Sequence, residues 1–225
     1  MRFSADIVSS EPGRVLLSRS FFYPGGGGQL PDRGKIAVAG QTYVIRGVEQ
    51  VAGKWWHLHD GPQDVAGAAE LEIDREFRRN MEQLHTALHL VNAFVFKKFD
   101  GALVTGAHMA ADRTARIDLD LPEADNERIR ALEPEINACV AEDRAIRVLY
   151  VPVDVASRET GLLRSRSVAP PPQPDGSIRV VEIEGVDRQA CGGTHLTSTG
   201  QMPPIQILKI ENKGRHNRRV RIGFR

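Results

Sequence analysis

Two short motifs, about a hundred residues apart, constrain this chain more than anything else in it: His85 and His89 in HTALH, and Cys191 and His195 in CGGTH. Imidazole and thiolate are ligands that zinc takes, as four protein groups in a structural site or three plus a water in a catalytic one. Each pair alone is weak, because histidines one turn apart on a helix are commonly mere neighbours on one face. Together, in a chain with only two cysteines, they read as two halves of a single zinc site. The fold must then bring a helix and a distant turn to one point.

The first half has the periodicity for it. Residues 76–99 place Phe77, Met81, Leu84, Leu88, Val91 and Val95 at helical steps of three and four. His85 and His89 each follow one member of that stripe, at the edge of the apolar face. The second half is a turn, in which Gly192 and Gly193 follow Cys191 just after a strand-like run, RVVEIEG. Glycine reaches backbone angles closed to other residues. The turn can therefore aim a thiolate and an imidazole at one point, and it leaves bare N–H groups for a substrate oxygen.

At these residues the chain resembles the editing domain shared by alanyl-tRNA and threonyl-tRNA synthetases, and more closely the freestanding alanyl-tRNA editing proteins of the AlaX family, in their medium-length form. The resemblance spans almost the whole chain. Residues 22–34 (FYPGGGGQLPDRG) are similar to the family's glycine-rich segment, 180–195 (VVEIEGVDRQACGGTH) to its second metal segment, and 209–222 to its basic terminal strands. It implies a hydrolase that deacylates Ser-tRNA(Ala), and in some members Gly-tRNA(Ala), acting in trans. It implies Zn2+ as cofactor and the aminoacylated 3′ end of tRNA(Ala) as partner. Gly26, Gly27, Gly28 and Gln29 would form a wall of the substrate cleft, the alternative being a flexible hairpin turn, and Gly192 and Gly193 would also meet the substrate. The loop here reads GGGGQ, where many relatives carry serine or threonine before the last two glycines, which removes a hydroxyl from that wall. Thr86 holds the place of a threonine implicated in recognising serine. If it does so here, Thr86→Val reduces seryl ester hydrolysis more than glycyl ester hydrolysis; the alternative is a hydroxyl bonded back to its own helix.

The motif also says what the chemistry is not. Zinc proteases of the HExxH class carry their general base directly after the first histidine; here that position is Thr86. An aminoacyl ester is an easier target than an amide, and zinc lowers the pKa of bound water to about 7. Hydroxide formed in this way would attack a carbonyl polarised by the same ion. Catalysis needs an open coordination position, so His85, His89 and Cys191 are the firm ligands, and His195 is the fourth ligand or a catalytic base beside them. Gln83 is a weaker candidate for ordering a water. His57 and His59 share a strand face without a third ligand, His108 and His216 are isolated, and Asp118 with Asp120 read as charges on one sheet face. Two rival functions remain: a non-catalytic, zinc-stabilised RNA-binding module, and a zinc hydrolase that ignores tRNA.

Composition bounds the rest. Net charge is only +1, which excludes a uniformly basic nucleic-acid binder. Yet Lys209, Lys213, Arg215, Arg218, Arg219, Arg221 and Arg225 face Glu211 alone at the C-terminal end. Lys213, Arg215, Arg218 and Arg219 are the candidates for tRNA phosphates; the alternative is protection of a sheet edge. No apolar run approaches the roughly eighteen residues of a membrane span, the first ten residues lack the apolar core of a secretory leader, and two cysteines are too few for a disulfide framework. A cytoplasmic protein is expected, with no protein partner evident.

The expected fold class is α+β. Strands at 14–20, 35–39, 41–48, 54–59 and 70–74, with a loop at 60–69, predict a small N-terminal β-barrel domain over residues 1–75. Residues 76–225 then form a mixed α/β-sheet domain with long helices. It holds a strand in ARIDLDL, strands at 147–151, 178–183, 205–210 and 219–224, a proline-rich spacer at 168–176, and a helix over 123–145 that Pro134 kinks or restarts.

Overall fold

Period-two burial builds the first part of the chain. In the computed structural model, which describes residues 1–61, 65–122, 125–164 and 170–225, six strands come first: β1 (Arg2–Glu11), β2 (Arg14–Leu17), β3 (Gly34–Val38), β4 (Gln41–Val51), β5 (Lys54–His59) and β6 (Gly67–Ile73). They close into an antiparallel barrel in the order β1-β2-β5-β4-β3-β6. Closure leaves no strand edge unpaired. Phe3, Val15, Ile36, Ile45, Leu71 and Ile73 fill the interior.

Two strands differ from the sequence reading. β1 is missing from the five expected, although Phe3, Ala5 and Ile7 alternate along it. β6 starts at Gly67, inside the expected loop, because β1 pairs with it from Ile7 opposite Gly67 to Arg2 opposite Glu72. A strand runs as far as its partner does, so overlooking one shortened the other. Residues 62–64 of that loop lie outside the described residues.

α1 (Arg75–Lys98) follows. Asp74 caps it, its carboxylate accepting the Phe77 N–H at 3.0 Å. Neither glycine nor proline interrupts it. Beyond its last turn Asp100 and Gly101 take left-handed backbone angles (φ 49° and 85°), and the Gly101 N–H returns to the Phe96 carbonyl at 2.9 Å. From Gln83 to Ala93 every residue is buried. The helix is interior along that stretch, so His85 and His89 are buried rather than at the rim of an exposed face.

The remaining elements are β7 (Val104–Met109), β8 (Ala115–Asp120), α2 (Asn126–Arg130), α3 (Glu133–Ala141), β9 (Ile146–Pro152), α4 (Val153–Ala156), β10 (Ser177–Ile183), β11 (Asp187–Ala190), β12 (Ile205–Lys213) and β13 (Asn217–Phe224). They make two antiparallel sheets, ordered β11-β10-β9 and β12-β13-β8-β7. The helix expected at 123–145 is two helices, with Pro134 in the first turn of α3, where its missing N–H goes unused; residues 123 and 124 lie outside the described residues. So do 168 and 169 of the proline-rich spacer.

The fold is thus α+β. Its two compact units are residues 1–26 with 30–80, and 27–29 with 81–225. Gln29 therefore counts with the second unit, as do all four proposed ligands. No helix among the described residues is long and apolar enough to cross a membrane.

Candidate metal centre

His85 and His89 lie one turn apart on α1, and the chain leaving β11 carries Cys191 and His195 to the same point. The ligand atoms of these four side chains all lie within 4.8 Å of one another. Cys191 Sγ is 3.4 Å from His85 Nε2 and 3.3 Å from His195 Nε2. A tetrahedron with metal–nitrogen bonds of about 2.0–2.1 Å and metal–sulfur bonds of about 2.3 Å has edges of roughly 3.3–3.6 Å. The two sulfur–nitrogen edges have the length such an ion needs, and three imidazoles with a thiolate are a donor set that zinc takes. Arg179 on β10 fixes the cysteine backbone: its carbonyl accepts the Cys191 N–H at 3.1 Å, and its guanidinium donates to the Cys191 carbonyl at 2.6 Å.

His85 and His195 are each hydrogen-bonded from behind at Nδ1, leaving Nε2 for the shared centre, and His89 Nδ1 faces a carboxylate at ion-pair distance. Gln29 Oε1 lies 2.8 Å from His85 Nδ1. That atom must be oxygen, since the Thr194 N–H also donates to it at 3.0 Å. Thr86 Oγ1 lies 3.2 Å from His195 Nδ1. Asp187 Oδ2 lies 3.4 Å from His89 Nδ1. An imidazole whose Nδ1 proton is engaged in this way offers a bare Nε2 to a metal.

Electrostatics favour the ligating forms of Cys191 and His195, while His89 must give up a proton to ligate. Burial pushes the Cys191 thiol up, but His85, His89 and His195 outweigh it and hold the thiol well below its ordinary value. Burial lowers His195 to about 3, with the charge of His85 adding to it, so this imidazole stays neutral. His89 is raised to about 9: burial opposes this, and the Cys191 and Asp187 charges override it. Asp187 is kept below the usual carboxylate range by His89 and Arg164, against its burial.

The glycines divide by role. A Cβ on Gly193 would sit 2.0 Å from His85 Cε1, so only glycine lets the turn pass that ring. Gly28 has φ +85°, and a Cβ there would meet the Ala107 carbonyl oxygen at 2.5 Å; its own carbonyl accepts the Met109 N–H at 2.8 Å. Gly192 is exposed and roomy, its nearest neighbour being Pro170 at 3.5 Å from an added Cβ. Gly26 and Gly27 are exposed, and the Gly26 carbonyl accepts the Tyr23 hydroxyl at 3.0 Å.

Other expected residues sit differently from their sequence roles. Thr86 is fully buried, and its hydroxyl accepts the Leu196 N–H at 3.2 Å while it meets His195. With both acceptor positions engaged in this way, its own O–H remains as a donor. Gln83 donates to the Gln201 carbonyl at 3.1 Å. Of the four candidate phosphate contacts, Lys213 and Arg215 are exposed. Arg218 is buried at 7 %, in step with Val220 and Ile222 on the core face of β13. Arg219 forms a two-pronged ion pair with Asp118 at 2.7 and 2.8 Å. His57 and His59 are buried in the barrel, and His108 and His216 are exposed.

Sequence reasoning missed Asp187, Gln189, Asn92 and Arg164. The signal available was thin: an acid four positions before Cys191, alternating with Gln189, in a stretch too short to read as a strand.

Residues 178–221 match the family described as the threonyl and alanyl tRNA synthetase second additional domain. The alanyl-tRNA editing protein AlaX-M of Saccharolobus solfataricus is 34 % identical over 228 residues, covering 97 % of this chain and 92 % of that protein. The AlaX-M of Methanosarcina mazei is 32 % identical, covering 97 % and 90 %. The alanine–tRNA ligase of Methanopyrus kandleri is 35 % identical over 88 % of this chain, which spans 21 % of the ligase.

Proposed function

The chain belongs to the AlaX-M alanyl-tRNA editing proteins, and we propose that it is a trans-editing hydrolase that deacylates mischarged tRNA(Ala) in the cytoplasm. Its substrates on this reading are Ser-tRNA(Ala) first and Gly-tRNA(Ala) second. The observation that carries the proposal is the convergence of His85, His89, Cys191 and His195, with His85 and His195 hydrogen-bonded at Nδ1 and His89 Nδ1 facing Asp187.

These four residues would hold Zn2+. When bound, the ion supplies Lewis acidity toward an ester carbonyl and toward water. The chain's own part is positional. Cys191 offers a thiolate, and Gln29, Asp187 and Thr86 fix the three rings. A closed tetrahedron of protein ligands would favour a merely structural ion. Here His195 is only half-buried while the other three are buried, so solvent and substrate have their approach beside it. Its neutral imidazole can serve as the displaceable ligand. The exposed glycines Gly27 and Gly192 would meet the aminoacyl adenosine, and Lys213 and Arg215 the phosphates.

Hydrolysis of Ser-tRNA(Ala), Gly-tRNA(Ala) and Ala-tRNA(Ala) by the purified protein, with and without chelator and beside Cys191→Ala, tests this. Loss of seryl ester turnover on chelation and in the variant, with Ala-tRNA(Ala) spared, is the expected result. Binding of tRNA without turnover would instead make the chain a zinc-braced RNA-binding module.

A further inference from the structure

We infer that Asp187 is a positioning residue for the metal centre, acting through His89; the inference rests on the metal-holding reading above. Asp187 has a fully buried side chain, a costly place for a carboxylate unless it is paired. Its partners are all specific. Oδ2 lies 3.4 Å from His89 Nδ1 and accepts the Gln189 side-chain amide at 2.9 Å. Oδ1 lies 2.7 Å from the Arg164 guanidinium. The second rank is fixed in turn. Asn92 donates to Gln189 Oε1 at 2.9 Å, and Arg164 lies 4.0 Å over the Phe96 ring with its Nε donating to the Gly161 carbonyl at 2.6 Å.

The spacing explains how two elements make this layer. His89, Asn92 and Phe96 recur at three and four on α1 and share one face. Asp187 and Gln189 are two apart on β11 and share one face of the strand. The carboxylate is therefore held from two sides while it addresses one ring. Facing Nδ1 at 3.4 Å, it would keep the one remaining proton of His89 there once Nε2 ligates, and make Nε2 a stronger donor. Gln29 and Thr86 do the equivalent for His85 and His195 as neutral groups; Asp187 alone brings a negative charge to offset a divalent cation.

The test is zinc affinity, read by competition with a chromophoric chelator on the full chain, for wild type, Asp187→Asn and Gln189→Leu. Far-UV circular dichroism of each metal-free protein monitors the fold. In parallel, long-range 15N–1H imidazole spectra of the zinc-loaded proteins read whether His89 keeps its proton on Nδ1. Asp187→Asn should raise the zinc dissociation constant about 10–100-fold and weaken the His89 Nδ1–H signal, with the circular dichroism retained. Gln189→Leu should raise the constant severalfold through a less well-held carboxylate. If Asp187→Asn does not fold, Gln189→Leu decides. Wild-type affinity in folded variants overturns the role of Asp187 and leaves the metal reading standing. A wild-type protein that takes up no zinc overturns both.

Discussion

Gln29 and His85 stand 56 residues apart in sequence, and their side chains meet at 2.8 Å. The same amide receives the Thr194 N–H and donates to the Thr194 hydroxyl at 2.8 Å. One glutamine thereby ties the end of the glycine-rich segment to both halves of the metal centre. Gln29→Leu removes all three bonds while keeping the bulk. It should weaken zinc binding about tenfold or more, measured by chelator competition. Unchanged affinity would remove Gln29 from the support of the site.

Gly193 and Gly192 should part company on substitution. Gly193→Ala drives a methyl into the His85 ring, and neither the helix nor the turn has room to give. Zinc uptake should fall at least a hundredfold. Gly192→Ala meets Pro170 at an ordinary contact distance of 3.5 Å and should retain uptake. Equal behaviour of the two variants in a zinc titration would refute the packing described.

Thr86→Val is nearly isosteric and leaves the buried Leu196 N–H without its acceptor. An unsatisfied buried donor costs about 1–3 kcal/mol, to be read as a lower unfolding free energy in urea. Because the hydroxyl serves His195, hydrolysis of seryl and glycyl esters should fall together. A selective loss on the seryl ester would instead support the role that the resemblance implies for Thr86.

The barrel carries its own pH dependence. His57 is buried, with Nε2 2.7 Å from the Ser20 hydroxyl, and burial lowers it from 6.5 to about 4. Between those values the unfolded chain binds a proton that the folded one refuses. The stability from a neutral His57 is complete above pH 6.5 and is lost as the pH falls toward 4, by about 2–3 kcal/mol. Urea unfolding at pH 7 and pH 4.5 should show a steeper loss for the wild type than for His57→Gln. Parallel losses would assign the acid sensitivity elsewhere.

The sequence carried the ligands, the fold class and the barrel because each left a local pattern. HTALH and CGGTH are dense in ligand types, the helix over 75–98 has an unbroken period, and the barrel strands alternate between turn residues. The supporting layer left none. Asp187, Gln189, Asn92 and Arg164 are ordinary residues in sequence, and only the pairing of β10 with β11 and the burial of α1 bring them together. The surroundings of the basic C-terminal strands were hidden for a related reason. Charge is visible in sequence, but the cross-strand register that pairs Arg219 with Asp118, and the alternation that turns Arg218 inward, are not.

The most direct measurement is the zinc content of the purified, active protein set against its rate of Ser-tRNA(Ala) deacylation. One ion per chain is expected, with turnover falling as chelator strips it, returning as zinc is restored, and absent in Cys191→Ala. Full turnover by metal-free protein, unchanged when Cys191 or His85 is replaced, would contradict the central claim.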